Sequence, residues 1–179
     1  MRIVIALLIT VVMALPAASR PLTADEQHNL ESALTSFTQA IQRKRMRQVI
    51  AVVPPKVLAT IAKSVRTTPQ KMRREMVREL QTGMKDVRFT DMEVITGNLD
   101  ARDANAPDGG AIIYAFVPMN FKMHIKLHDF AVTSSILALR EDGQWYFMRV
   151  EDEGQKTILA DVYPFLKNAR YPVGKMEQY

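Results

Sequence analysis

The chain has no cysteine in its 179 residues. Disulfides, thiolate metal sites, a cysteine nucleophile and a lipid-anchored N-terminal cysteine are therefore excluded. Aromatic residues make up only 7% and there is one tryptophan, so each aromatic position can be followed individually. Internal repeats and low-complexity tracts are absent. What is present is ordinary for a folded domain: 47% hydrophobic and 24% charged residues in 20.3 kDa. That is enough chain to bury a core, and the composition is neither disordered nor collagenous. Lys and Arg number 24 against 19 Asp and Glu, a formal charge of +5.

The N-terminus reads as an address. Arg2 precedes an apolar run from Ile3 to Leu15, Pro16 breaks it, and Ala17, Ala18 and Ser19 follow. One positive charge, an apolar stretch and then small residues is the order of a secretory signal peptide. The run is shorter than the roughly 20 residues a spanning helix needs. The expected organisation is a leader over 1–19, a single domain over 20–169 and a loosely held tail over 170–179. The expected location is secreted or periplasmic. Outside the cytoplasm ATP and nicotinamide cofactors are scarce, and no cofactor is expected. Retention of residues 3–18 would instead suit a membrane-anchored assembly factor.

Helical signals fill the first half. Thr23-Ala24-Asp25-Glu26 is a capping box, and Leu30, Leu34, Phe37 and Ile41 then recur on one helical face. Pro54-Pro55 ends one short piece and opens another with Val57, Leu58 and Ile61. Thr68-Pro69 reads as a further N-cap, followed by Met72, Met76, Leu80 and Met84 at a strict spacing of four.

After residue 86 the pattern becomes extended, with strands expected over 87–96, 111–125, 130–140 and 145–150 and a polar loop over 97–110. Asp142-Gly143 is a two-residue hairpin signal. It predicts that Glu141 opposes Gln144, Arg140 opposes Trp145, Ala138 opposes Phe147 and Ile136 opposes Arg149. One face then carries Leu137, Leu139, Tyr146 and Met148 and is expected to pack on the helices. The other is mixed: Ile136, Trp145, Phe147 and Arg149 are expected on an outer face, as an interface for self-association into a homodimer. A short helix with Ile158, Leu159 and Val162 follows.

Helices first and then an antiparallel meander is an α+β arrangement. The opening helix with Phe37 and Ile41, and the closing Leu-Ala-Leu-Arg-Glu-Asp-Gly-Gln-Trp-Tyr-Phe, resemble the nuclear transport factor 2-like superfamily, which includes ketosteroid isomerases and polyketide cyclases. The resemblance spans roughly residues 22–166. It implies N-terminal helices packed on a curved four-stranded antiparallel sheet, a cone, with a short C-terminal helix and an apolar pocket at the open end. Pocket candidates are Tyr114, His124, Tyr146 and Phe37. No catalytic role transfers, because none of these matches a family motif.

Other constellations are weak. His124 and His128 lie in an extended region, where four residues span about 13 Å, so no metal site is expected. The loop from Asp100 to Gly109 fails as a calcium loop, because the twelfth position from Asp103 is Tyr114 instead of a glutamate. Asp91 and Glu93 read as a wet strand face. The most distinctive surface feature is basic: Arg43, Lys44, Arg45 and Arg47 at a helix end, and Lys71, Arg73, Arg74 and Arg78 further on, the latter diluted by Glu75 and Glu79. An anionic surface or an acidic protein is the expected partner. Nucleic acid is not expected, since no aromatics interleave with the basic runs. The resulting expectation is an exported binding or interaction module without catalytic activity. Its alternative is an isomerase- or cyclase-like enzyme acting on a small apolar ligand.

Overall fold

The computed structural model describes residues 19–179. The expected leader therefore lies outside the described residues, apart from Ser19. The fold is α+β. Its sheet is antiparallel and open, with seven strands among the described residues where four were expected.

A long ribbon forms its centre. Strand β4 (Ala111–Ile125) and strand β5 (His128–Glu141) pair along their whole length, from Ile112↔Glu141 to Ile125↔His128. No other strand among the described residues is that long, and each edge of the ribbon is covered by two strands placed end to end. On the β4 edge these are β2 (Val87–Val94) and β3 (Ala101–Asn105), with β1 (Ser19–Arg20) outside β3. On the β5 edge they are β6 (Gln144–Arg149) and β7 (Lys175–Gln178). Two of the strands correct the expectation. The polar loop over 97–110 contains β3, and the expected loose tail returns to pair Lys175 with Thr133 and Gln178 with Phe130. Both are polar strands: β7 is an edge held by backbone pairing, while β3 lies between β1 and β4 and turns Ala101 into the core.

The β5–β6 register is the one Asp142-Gly143 dictates, with all four expected pairs present. Asp142 and Gly143 both have positive φ, 51° and 78°, as this tight turn requires.

The facing differs in part: the face with Leu137 and Leu139 meets helices as expected, but the face expected to lie outside is covered as well. The capping box of α1 (Ala24–Gln42) is complete, and the helix packs Leu30 and Leu34 on Ile136, Ala138, Trp145 and Phe147. Trp145 is 4% exposed. The face expected to meet a second copy is the floor of the core. Arg140 and Arg149 fit there because they sit at its two ends, where their long stems carry the charge out to Glu26 and Glu151. Leu137 and Leu139 are buried on the opposite face, under Val57 of α3 (Pro55–Ser64), α5 (Glu153–Val162) and the 3-10 turn Pro164–Leu166 with Tyr163. Both faces of the ribbon are covered.

The remaining helices, α2 (Met46–Ala51) and α4 (Pro69–Gly83), join α3 in one helical layer. Thr68 caps α4, accepting the Lys71 N–H at 3.3 Å. No residue of α4 is fully buried. No helix among the described residues is long and apolar enough to cross a membrane.

Placing Trp145 in the core gives the first test. Trp145→Ala is expected to cost about 3–5 kcal/mol in urea unfolding. Leu127→Ala, at a 95% exposed hairpin tip, is expected to cost under about 0.5 kcal/mol. Equal midpoints for the two variants would contradict the packing described.

Candidate functional site

The four expected pocket residues do not share a cavity. Phe37 lies on the α1 face, its ring 5.3 Å from Phe147. Tyr114 is buried on the opposite face, 5.0 Å from Phe165. Tyr146 sits on that face too, with its hydroxyl donating to Gln144 at 3.3 Å, and burial raises its pKa. His124 is at the far end of the ribbon, bonded to Thr90 Oγ1 at 3.0 Å and to Asp129 Oδ1 at 2.5 Å. His128 bonds Gln178 instead. Asp91 falls in a bulge at φ 50° and pairs with Lys122 at 2.8 Å, away from Glu93.

Two clusters of charge are fully engaged. Arg20 donates to both oxygens of Glu26 (2.8 and 3.1 Å) and both of Asp103 (2.6 and 2.8 Å). Glu26 also accepts the Thr23 N–H at 2.8 Å, so one carboxylate closes the helix cap and holds β1 and β3 to α1. Glu141, 5% exposed, accepts from Lys56 Nζ at 2.5 Å and from the Tyr163 hydroxyl at 2.9 Å. Lys56 reaches Asp108 as well, at 2.6 Å. Burial, and then the bond to Glu141, push the Tyr163 phenol far up. These clusters join elements and leave little capacity for a ligand.

The opening that can take one lies at the β5 edge. β6 stops at the Ile136↔Arg149 pair and β7 starts at Thr133↔Lys175. Ser134 and Ser135 fall between them. The Pro118 carbonyl accepts from Ile95 N–H at 2.9 Å, so the Pro118 backbone faces away from β5. Ser135 is its register partner, and therefore turns its own N–H and C=O the other way, into the break that neither strand fills. Gly174 crosses the break closely: a Cβ there would lie 3.0 Å from the Thr133 carbonyl, so glycine is what lets the chain pass.

A cavity of about 440 Å³ occupies this break, within the usual range for small-molecule sites. Phe121, Met123, Val132 and Met176 give it apolar walls, and Arg149, Lys156 and Lys175 are at its rim. Arg149 pairs with Glu151 at 2.5 Å and Lys156 with Glu153 at 2.6 Å. Among the described residues Lys175 has no such partner. The site is thus an oily slot beside hydroxyls, a free peptide N–H and an unpaired ammonium. Sequence reasoning missed it because it arises where three strands meet. Pro118, which cannot donate to a ladder, is the one local signal.

The basic residues are where the sequence put them, on the surface. Arg43, Lys44 and Arg45 form the α1–α2 turn, with Lys44 donating to the Lys85 carbonyl at 2.8 Å, and Arg47 is on α2. Comparison with protein-family models, curated proteins and solved structures finds no match to this chain.

The Arg20–Glu26 pair carries a pH signature. Hydrogen bonds from Arg20, above all, lower the Glu26 pKa from its ordinary 4.5 to about 2. The unfolded chain therefore binds the extra proton first as pH falls. The stabilisation is whole above 4.5 and lost on descending to about 2. Glu26→Gln is expected to flatten this acid limb, read as the urea midpoint across that window. A limb as steep as that of the parent chain would refute the assignment.

Proposed function

We propose that this chain is an exported binding module without catalytic activity. Its ligand is a small amphiphile, an apolar body with a carboxylate or phosphate head, held at the break in the β5 edge. The observation that carries this reading is the juxtaposition there of the outward-facing Ser135 peptide, Lys175 and the apolar walls of one cavity. An apolar body covers the exposed Met176 and the half-buried Met123 over a floor of Phe121 and Val132, and the area it removes from water is worth about 25 cal/mol per Å². An anionic head accepts from the Ser135 N–H and pairs with Lys175. The pattern of residues 1–19 supports export. The enzymatic alternative is less well supported, because Tyr114 and His124 lie outside this cavity and its walls offer hydroxyls and cations. Self-association through Trp145 and Phe147 is not part of the proposal, since both pack under α1.

Calorimetric titration with dodecanoate and dodecyl phosphate is expected to show saturable binding to one site. Lys175→Glu and Met123→Trp, one reversing the charge and one filling the slot, are each expected to weaken it about tenfold or more. Arg74→Gln, on α4, is expected to leave it unchanged. Loss of heat with neither variant, or no binding to either amphiphile, would remove the proposal.

A further inference from the structure

The chain's positive charge is concentrated in one stretch. Residues 43–86 hold twelve Lys and Arg against three Asp and Glu, a net of +9, which leaves −4 for the remainder. That stretch is α2, α3 and α4 with their connections, so one helical layer is strongly basic.

Within it α4 separates its charges. At 100° per residue, Met72, Met76, Leu80 and Met84 form one stripe. Val77, Gln81 and Arg74 follow it on one side, Arg78 lies diametrically opposite it, Arg73 falls within the stripe, and Glu75 and Glu79 fall on the other side. Glu75 is within 4.0 Å of Lys71. The arginine flank faces Arg47 of α2 across a groove of about 450 Å³ lined by Arg47, Arg73, Arg74, Val77, Arg78 and Gln81. Among the described residues none of these four arginines has a carboxylate within ion-pair distance. Arg73 makes one long bond, to the Ile50 carbonyl at 3.5 Å. Arg47, Arg74 and Arg78 are exposed.

The geometry points to an anionic phospholipid surface as the partner of this α2–α4 face. A polyanion complements the unpaired guanidinium groups, which match phosphate in charge and shape. What selects a lipid surface is the absence of aromatic residues from 38 to 88. A specific protein interface draws its affinity from buried aromatic anchors as well as arginine, and a single-stranded nucleic acid site stacks bases on aromatics. A headgroup layer needs neither, because attraction of several basic residues to its surface potential suffices. The contact is peripheral, with no described helix fit to span. It is distinct from the amphiphile cavity, with which it shares no residue.

Vesicle co-sedimentation tests it, comparing phosphatidylglycerol with phosphatidylcholine against phosphatidylcholine alone. The chain is expected to bind the anionic vesicles and to be released by salt. Arg74→Gln with Arg78→Gln is expected to weaken binding about thirtyfold. The control pair Lys167→Gln with Arg170→Gln removes the same charge elsewhere and is expected to change it less than about threefold. Circular dichroism checks that both doubles fold. Equal effects of the two doubles, equal binding to neutral vesicles, or binding of duplex DNA without binding of vesicles would overturn the assignment. Amphiphile binding by the Arg74, Arg78 double separates this outcome from the fate of the cavity proposal.

Discussion

Two central strands of 15 and 14 residues are the constraint on which the fold depends. A paired ribbon of that length exposes two faces and two long edges, and all four must be dealt with. The faces are apolar, so each needs its own cover: α1 on one, α5 with the 3-10 turn and part of α3 on the other. The edges need backbone partners. Each receives two short strands, and two short strands leave a seam. The seam on the β4 edge is bridged by Ile95 donating to Pro118. The seam on the β5 edge stays open, and the candidate site is that opening.

Each cover is fixed by a polar tie at its margin. Glu26 ends the α1 capping box and, through Arg20, holds the helix to β1 and β3. Glu141 does the corresponding work on the other face, where Lys56 of α3 and Tyr163 beside the 3-10 turn converge on one carboxylate. A carboxylate so buried would be costly alone. With a cation and a phenol donating to it, the same group sets the position of two covering segments against the end of β5. The apolar layers supply the attraction, which is not directional, and these ties supply the register between layers.

Local chemistry was legible in the sequence to the extent that it is local. Thr23 with Glu26, Thr68 with Pro69, and Asp142 with Gly143 specify their caps and their turn through atoms a few residues apart. The register of the last hairpin followed from the turn alone. Its facing did not follow. Ile136, Trp145 and Phe147 on one side and Leu137, Leu139 and Met148 on the other are both apolar enough to be buried. The choice of α1 for the first set depends on chain geometry between residues 42 and 111, which no pattern encodes. Polar strands were missed for a related reason. Ala101–Asn105 and Lys175–Gln178 pair because a ribbon edge is waiting for them, and they carry no periodic apolar signal of their own. The cavity depends on where β6 stops and β7 starts, a non-local fact.

The charge distribution raises a last question of balance. A layer with net +9 repels itself, and among the described residues no carboxylate neutralises the arginine flank of α4. Thr68, the Met72–Met84 stripe and contacts with α2 and α3 must therefore hold the helix in place against that repulsion. Water weakens the repulsion, since screening at physiological salt acts over about 8 Å and the guanidinium groups of Arg47, Arg74 and Arg78 are solvated. Yet the cheaper arrangement would alternate the signs, as the opposite flank does with Lys71 and Glu75. Arginines are left unpaired on one side, while the sheet layer uses its own in Arg20–Glu26 and Arg149–Glu151 pairs, so that flank adds nothing to the stability of the fold through ion pairing. An anion brought to the groove would relieve the repulsion among these arginines, so the same feature that costs stability in the free chain would favour the bound one.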